Sequence, residues 1–122
     1  MLSKLGNKNF TLLAKMMDLH AASQKVSAQN IANVNTPNYH RREFKFSKAL
    51  REAMQRGQAS DYRNIRGWVD RPNTTPVRNN GNNVDIDMEM ISMRENAMKY
   101  QIFVDLYSKK AAMLKTAIKG GA

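Results

Sequence analysis

Leu5, Leu12, Leu19 and Val26 stand seven residues apart, with Met16 between them and Leu13 and Met17 alongside. A period of seven returns a side chain to nearly the same helix face, so the amino-terminal third is read as a long amphipathic helix with a coiled-coil-like seam. At the other end Met88, Ile91, Met98, Ile102, Leu106, Met113 and Ala117 repeat at three, four and seven. Phe103, Tyr107, Leu114 and Ile118 widen that stripe. Asp87 is placed to cap the first free amides of this second helix, and Glu89 favours the positive end of its dipole. Lys115, Lys119 and Gly120 mark its finish. Two such helices in 122 residues pack most simply as an antiparallel hairpin.

Between them, SKALREAMQRG reads as a short helix, with Ser47 as its N-cap and Gly57 as its terminator. Residues 58–83 hold Gly67, Pro72, Pro76 and NNGNN and show no sustained period, which predicts loop; EFKF and VDID alternate and are the candidate strands. The chain is thus mainly α and divides into an amino-terminal helix (1–35), a turn with short helix and basic loop (36–83), and a carboxyl-terminal helix (84–122), together one axial domain. Because the middle is polar, the core is expected from the two ends. Leu12, Met16, Leu19 and Val26 should face Met98, Ile102, Leu106 and Met113, within one chain or between copies, and Ile91 belongs to the same packing face. Each stripe is wider than one partner covers, which calls for further subunits.

The candidates for chemistry are thin. His20 and His40 have no second ligand at metal spacing and are read as surface or interface side chains. Asp85 and Asp87 form a lone pair of acids, better suited to a helix start than to a cation. No phosphate loop or hydrolase motif occurs, and no cofactor or metal is implied. No apolar run approaches the roughly 18 residues of a membrane span, and the first twenty residues, broken by Lys4, Lys8, Lys15 and Asp18, carry no recognisable secretory signal. Of the net charge of +10, residues 35–83 supply +6, with ten Lys/Arg against four acids. HRREFKFSKALR interleaves five of those bases with Phe44 and Phe46, which makes nucleic-acid binding by residues 40–78 the alternative function. Membrane docking by the first helix is a weaker one.

AQNIANVNTPNY, residues 28–39, carries a different signal. Pro37 biases Thr36 away from helix, so the first helix must end before position 36. Thr36-Pro37-Asn38-Tyr39 has turn chemistry, with Asn38 at the position that tolerates a left-handed backbone. Asn30, Asn33 and Asn35 are placed to satisfy the last helical carbonyls or to reach a packed neighbour. Asn30 also lies in line with the seam, where a buried amide fixes register.

ASQKVSAQNIANVNTPNYHRREFKF resembles the amino-terminal signature of bacterial flagellar rod and hook proteins, an Asn-hydrophobic-Ala-Asn core followed by Asn-Thr-Pro-Gly-Tyr. Asn30, Ile31, Ala32, Asn33, Asn35, Thr36, Pro37 and Tyr39 match it, and Asn38 replaces the usual glycine. GNNVDIDMEMISMRENAMKYQIFVDLYSKKAAMLKTAIKG is similar to the closing signature of the proximal rod proteins, with Gly81, Asn82, Asn83, Val84, Asp85, Asp87, Glu89, Asn96 and Tyr100 in the expected order. The resemblance spans residues 1–57 and 81–119. It implies a structural, non-enzymatic subunit whose terminal helices coil together in a periplasmic axial tube that transmits motor torque. It also implies export unfolded through the flagellar type III channel, without a cleaved signal. Implied partners are other copies of the chain, other proximal rod proteins, the rod-to-MS-ring adaptor and the export gate, with no nucleic acid.

Overall fold

The computed structural model describes residues 2–120, with side-chain surroundings from residue 6 onward. Its elements are α1 (Leu2–Ala32), β1 (Glu43–Lys45), α2 (Ser47–Arg56), α3 (Ala59–Arg63), β2 (Trp68–Asp70) and α4 (Ile86–Gly120). The chain is mainly helical, as its periodicity requires. Leu5, first of the sevenfold series, lies outside the residues whose side chains are described. Phe10 meets Tyr107, while His20 meets both Phe103 and Asn96, so α1 and α4 run antiparallel. At 31 and 35 residues they are about 46 and 52 Å long. Neither is apolar enough over a sufficient length to cross a membrane.

The middle segment folds back over α1 as a collar. Met16 and Leu19 of α1 are buried with Ala53 of α2, Tyr62 of α3 and Ile65, and Leu12, Phe44, Phe46, Ala49, Leu50 and Phe103 pack around them. The core therefore does not come from the ends alone. Ala49, Leu50 and Ala53 form one small face of a ten-residue helix, and Tyr62 and Ile65 stand three apart. These runs are too short to show a period, yet together they cover the α1 stripe. Burial of Leu, Met and aromatic side chains at this level contributes about 1.5–3 kcal/mol each.

The pairing expected between the helices is not formed within the chain. Ile91, Met98, Ile102, Leu106 and Met113 are 55%, 66%, 53%, 46% and 72% exposed, and Val26 is only half-buried. What α4 turns toward α1 is a different sevenfold series: Glu89, Asn96, Phe103 and Lys110. Asn96 Nδ2 donates to Ser23 Oγ (3.0 Å), Phe103 stacks on His20, and Lys110 lies over the Phe10 ring. The seam inside the chain is largely polar and aromatic, whereas the outer face of α4 is apolar.

Caps and strands differ from expectation in detail. Asp85, not Asp87, caps α4: its Oδ1 accepts from the Asp87 N–H (3.0 Å) and the Met88 N–H (3.3 Å). Asp87 sits inside the first turn, where its charge still favours the dipole. Ser47 is the first residue of α2 rather than its cap, a place held by Phe46 without a side-chain bond. Gly57 ends that helix at φ 74°, its N–H donating to Ala53 O (2.9 Å). EFK of EFKF forms β1, but its antiparallel partner is β2, in register Glu43↔Asp70, Phe44↔Val69, Lys45↔Trp68, and not VDID. Gly67 leads into β2 beneath the Phe44 ring, where a Cβ would overlap the ring. Lys45 and Asp70 pair across the strands at 2.9 Å. The Lys45 hydrogen bond holds the Asp70 carboxyl below its usual range, so this tie is present at neutral pH and is lost as acid titrates Asp70.

Candidate functional site

α1 needs donors for its last carbonyls, and the AQNIANVNTPNY stretch supplies them. Asn33 Nδ2 donates to Gln29 O (2.8 Å), while its Oδ1 accepts from Thr36 Oγ1 (3.1 Å). Tyr39 N–H donates to Thr36 O (3.3 Å) across the turn, and Asn38 takes φ 61°, the left-handed conformation its place demands. Asn30 is fully buried. Its Nδ2 donates to Arg42 O (2.7 Å), and its Oδ1 accepts from Arg42 N–H (2.9 Å) and Tyr39 Oη (3.0 Å). The amide thus pairs with the chain's own backbone as a neighbouring strand would. Asn30 ties the collar to α1; it does not sit in the seam as a register device. Asn35, Thr36, Pro37 and Ala32 are exposed, and Ile31 is half-buried.

The residues before α4 close this turn into a clasp. Asn82, fully buried, donates from Nδ2 to Asn33 O (2.8 Å) and Thr36 O (2.9 Å), and its Oδ1 accepts from Val84 N–H (2.8 Å). Asn83 Oδ1 accepts from Arg41 N–H (2.6 Å), and its carbonyl accepts from Thr75 Oγ1 (2.7 Å). The Arg78 guanidinium donates to Val84 O (2.5 Å) and to Val34 O, bridging the two halves. Gly81 takes φ 81°, and a Cβ there would strike the Asn38 side chain. Below the clasp Arg41 Nε donates to Glu89 Oε1 at 2.8 Å, with side chains 8% and 1% exposed.

The two signatures singled out in the sequence therefore meet, although 42 to 73 residues separate their hydrogen-bonded members. Sequence reading misses the roles of Arg41, which stands there only among the bases of the HRREFKFSKALR run, and of Arg78. Glu89 was read as a dipole residue. Its sevenfold spacing to Asn96 and Phe103 was the available signal. His20, expected at the surface or an interface, is buried between α1 and α4: its Nδ1 and Asn96 Oδ1 lie 3.1 Å apart, and its ring meets Phe46 edge-on. His40 is exposed. Among the described residues no three His, Cys, Asp or Glu side chains converge on a metal position. The basic and aromatic run is largely engaged, with Arg41 on Glu89, Arg42 over the Tyr39 ring, Lys45 on Asp70 and both phenylalanines against the core.

What remains open is the outer face of α4. Met88, Ile91, Met98, Ile102, Leu106 and Met113 all lie on it with no covering element among the described residues. At the open end of the hairpin, Phe10, Tyr107, Ala111, Leu114 and Ile118 line a second apolar surface, a groove between α1 and α4. Contiguous apolar surface of this kind is characteristic of interaction sites. The arrangement can pack against other helices; it presents no paired acid and base at a cleft.

No family model matches the chain. Among curated proteins it is similar to the flagellar basal body rod protein FlgB of Bacillus subtilis (strain 168), 36% identical over 108 residues that cover 80% of this chain and 83% of the relative. It is 32% identical to the FlgB of Borrelia hermsii over 126 residues, 88% of this chain and 93% of the relative. The Escherichia coli (strain K12) FlgB is 27% identical over 122 residues, covering 86% and 88%.

Proposed function

We propose, because the chain belongs to the FlgB family of flagellar basal body rod proteins, that the uncovered face of α4 is the surface by which it joins its neighbours. The protein is a structural subunit of the flagellar basal body rod. One observation carries the proposal. The apolar stripe of α4 that a soluble hairpin would bury against α1 is turned outward, and the helices are held together by polar and aromatic contacts and a clasp. Such a subunit is complete as a fold and incomplete as a surface, which suits one that is finished by neighbours.

On this reading residues 1–35 and 84–122 form the axial hairpin and residues 36–83 the collar. Ile31, Ala32, Asn35, Thr36 and Pro37 ride on the clasp, and its buried amides set the angle between hairpin and collar rather than touching neighbours. The neighbours are other copies of the chain, other proximal rod proteins, the rod-to-MS-ring adaptor and the export gate. The location is the periplasmic rod, reached unfolded through the flagellar type III channel. The role is mechanical, without catalysis. The nucleic-acid alternative gains no support from the relatives, and four of its ten bases, Arg41, Arg42, Lys45 and Arg78, serve internal contacts. Deletion of the gene tests the function: rods, hooks and filaments should vanish from purified basal bodies and return with the gene. Normal flagella in the deletion strain would refute it.

A further inference from the structure

We propose that Asn80–Gly81 is a site of spontaneous deamidation that folding protects, so that the clasp records how long a chain has remained unfolded. It is the sequence's single Asn-Gly pair; none of its other asparagines precedes a glycine. Without a side chain, glycine lets its backbone nitrogen approach the preceding asparagine freely. Gly81 N bonds to Asn80 Cγ, the Cγ–Nδ2 bond breaks, and the amide proton leaves with the departing ammonia. Water then opens the cyclic imide at either carbonyl, giving aspartate or isoaspartate. One water is consumed and one ammonia released, with no oxidant or reductant.

The folded clasp holds both reacting groups. Gly81 N–H donates to Arg78 O (2.8 Å), engaging the nucleophile. Asn80 Oδ1 accepts from Asn82 N–H (3.1 Å), fixing the side chain that must swing toward Gly81 N. Asn80 O accepts from Asn38 N–H (2.9 Å), and Gly81 is seated at φ 81° against Asn38. Asn80 is exposed, so water reaches it, and protection comes from geometry rather than burial. The two products differ in consequence. Aspartate keeps an oxygen for the Asn82 N–H. Isoaspartate adds a methylene to the main chain, which displaces the Asn80 carbonyl from Asn38 and disrupts the turn that presents Asn82.

This chemistry is independent of what the protein assembles with. The test incubates the purified full chain in mildly alkaline buffer with and without guanidinium, following helix by circular dichroism and residue 80 by peptide mass and isoaspartate content. Modification at residue 80 should run at least about tenfold faster in denaturant, because the native clasp must open first. After refolding of the aged sample, isoaspartate should be depleted from the folded fraction, whereas the Asn80→Asp variant should fold as the parent does. Gly81→Ala should suppress the reaction in denaturant. Equal rates in both buffers, or isoaspartate spread evenly through the folded fraction, would overturn the proposal.

Discussion

Glu89→Ala is expected to lower the stability of the folded chain by about 3–5 kcal/mol, the usual consequence of removing one partner of a buried ion pair. Its carboxylate is 1% exposed, and the Arg41 guanidinium it holds at 2.8 Å is nearly as buried. Without it, Arg41 keeps only Glu43, at 3.6 Å and half in solvent. The cost is chiefly that of a stranded charge, so its relief is diagnostic. Arg41→Met combined with Glu89→Leu should recover most of the lost stability, because an apolar pair of similar volume removes both desolvation penalties. Urea denaturation followed by circular dichroism reads both. A single variant within about 1 kcal/mol of the parent would mean that the pair does not hold α4 to the collar.

Ile102→Glu combined with Met98→Lys should leave that stability nearly unchanged, within about 0.5 kcal/mol, because both side chains are more than half exposed. Assembly should nevertheless fail. Two charges carried into a packed apolar contact, even paired with each other at i and i+4, lose more in desolvation than they regain, and about 3 kcal/mol is already more than a hundredfold in affinity. In a strain lacking the native gene, the double variant should express and fold but restore neither motility nor rods. Swimming at parental rates would place the contact surface elsewhere. The two experiments act in opposite senses: Glu89→Ala strikes the fold, and the stripe variant strikes only its surface.

Repetition and punctuation made much of this architecture legible. The sevenfold series through Leu12 and Leu19 gave α1, Pro37 fixed where it ends, and Gly57 and the left-handed place of Asn38 followed from backbone sterics. The side of α4 that faces α1 was not legible. Periodicity reports which residues share a face, and the natural inference that the apolar face lies inside fails where the chain's own seam is Glu89, Asn96, Phe103 and Lys110. That inversion depends on Arg41, 48 residues away from Glu89 in sequence. Asn30 misled for a related reason, since its place in the seam was visible and its pairing with the Arg42 backbone was not. The collar's share of the core, spread over Ala53, Tyr62 and Ile65, has no period to read.

The absence of cysteine from the sequence makes the central claim directly measurable, because Ile102→Cys places a single thiol on the outer face of α4. Its maleimide labelling would be compared between the isolated chain and purified basal bodies. The outward stripe predicts rapid labelling of the isolated chain and protection in the basal body. Equal reactivity in both would contradict the claim that this face is covered by neighbouring subunits.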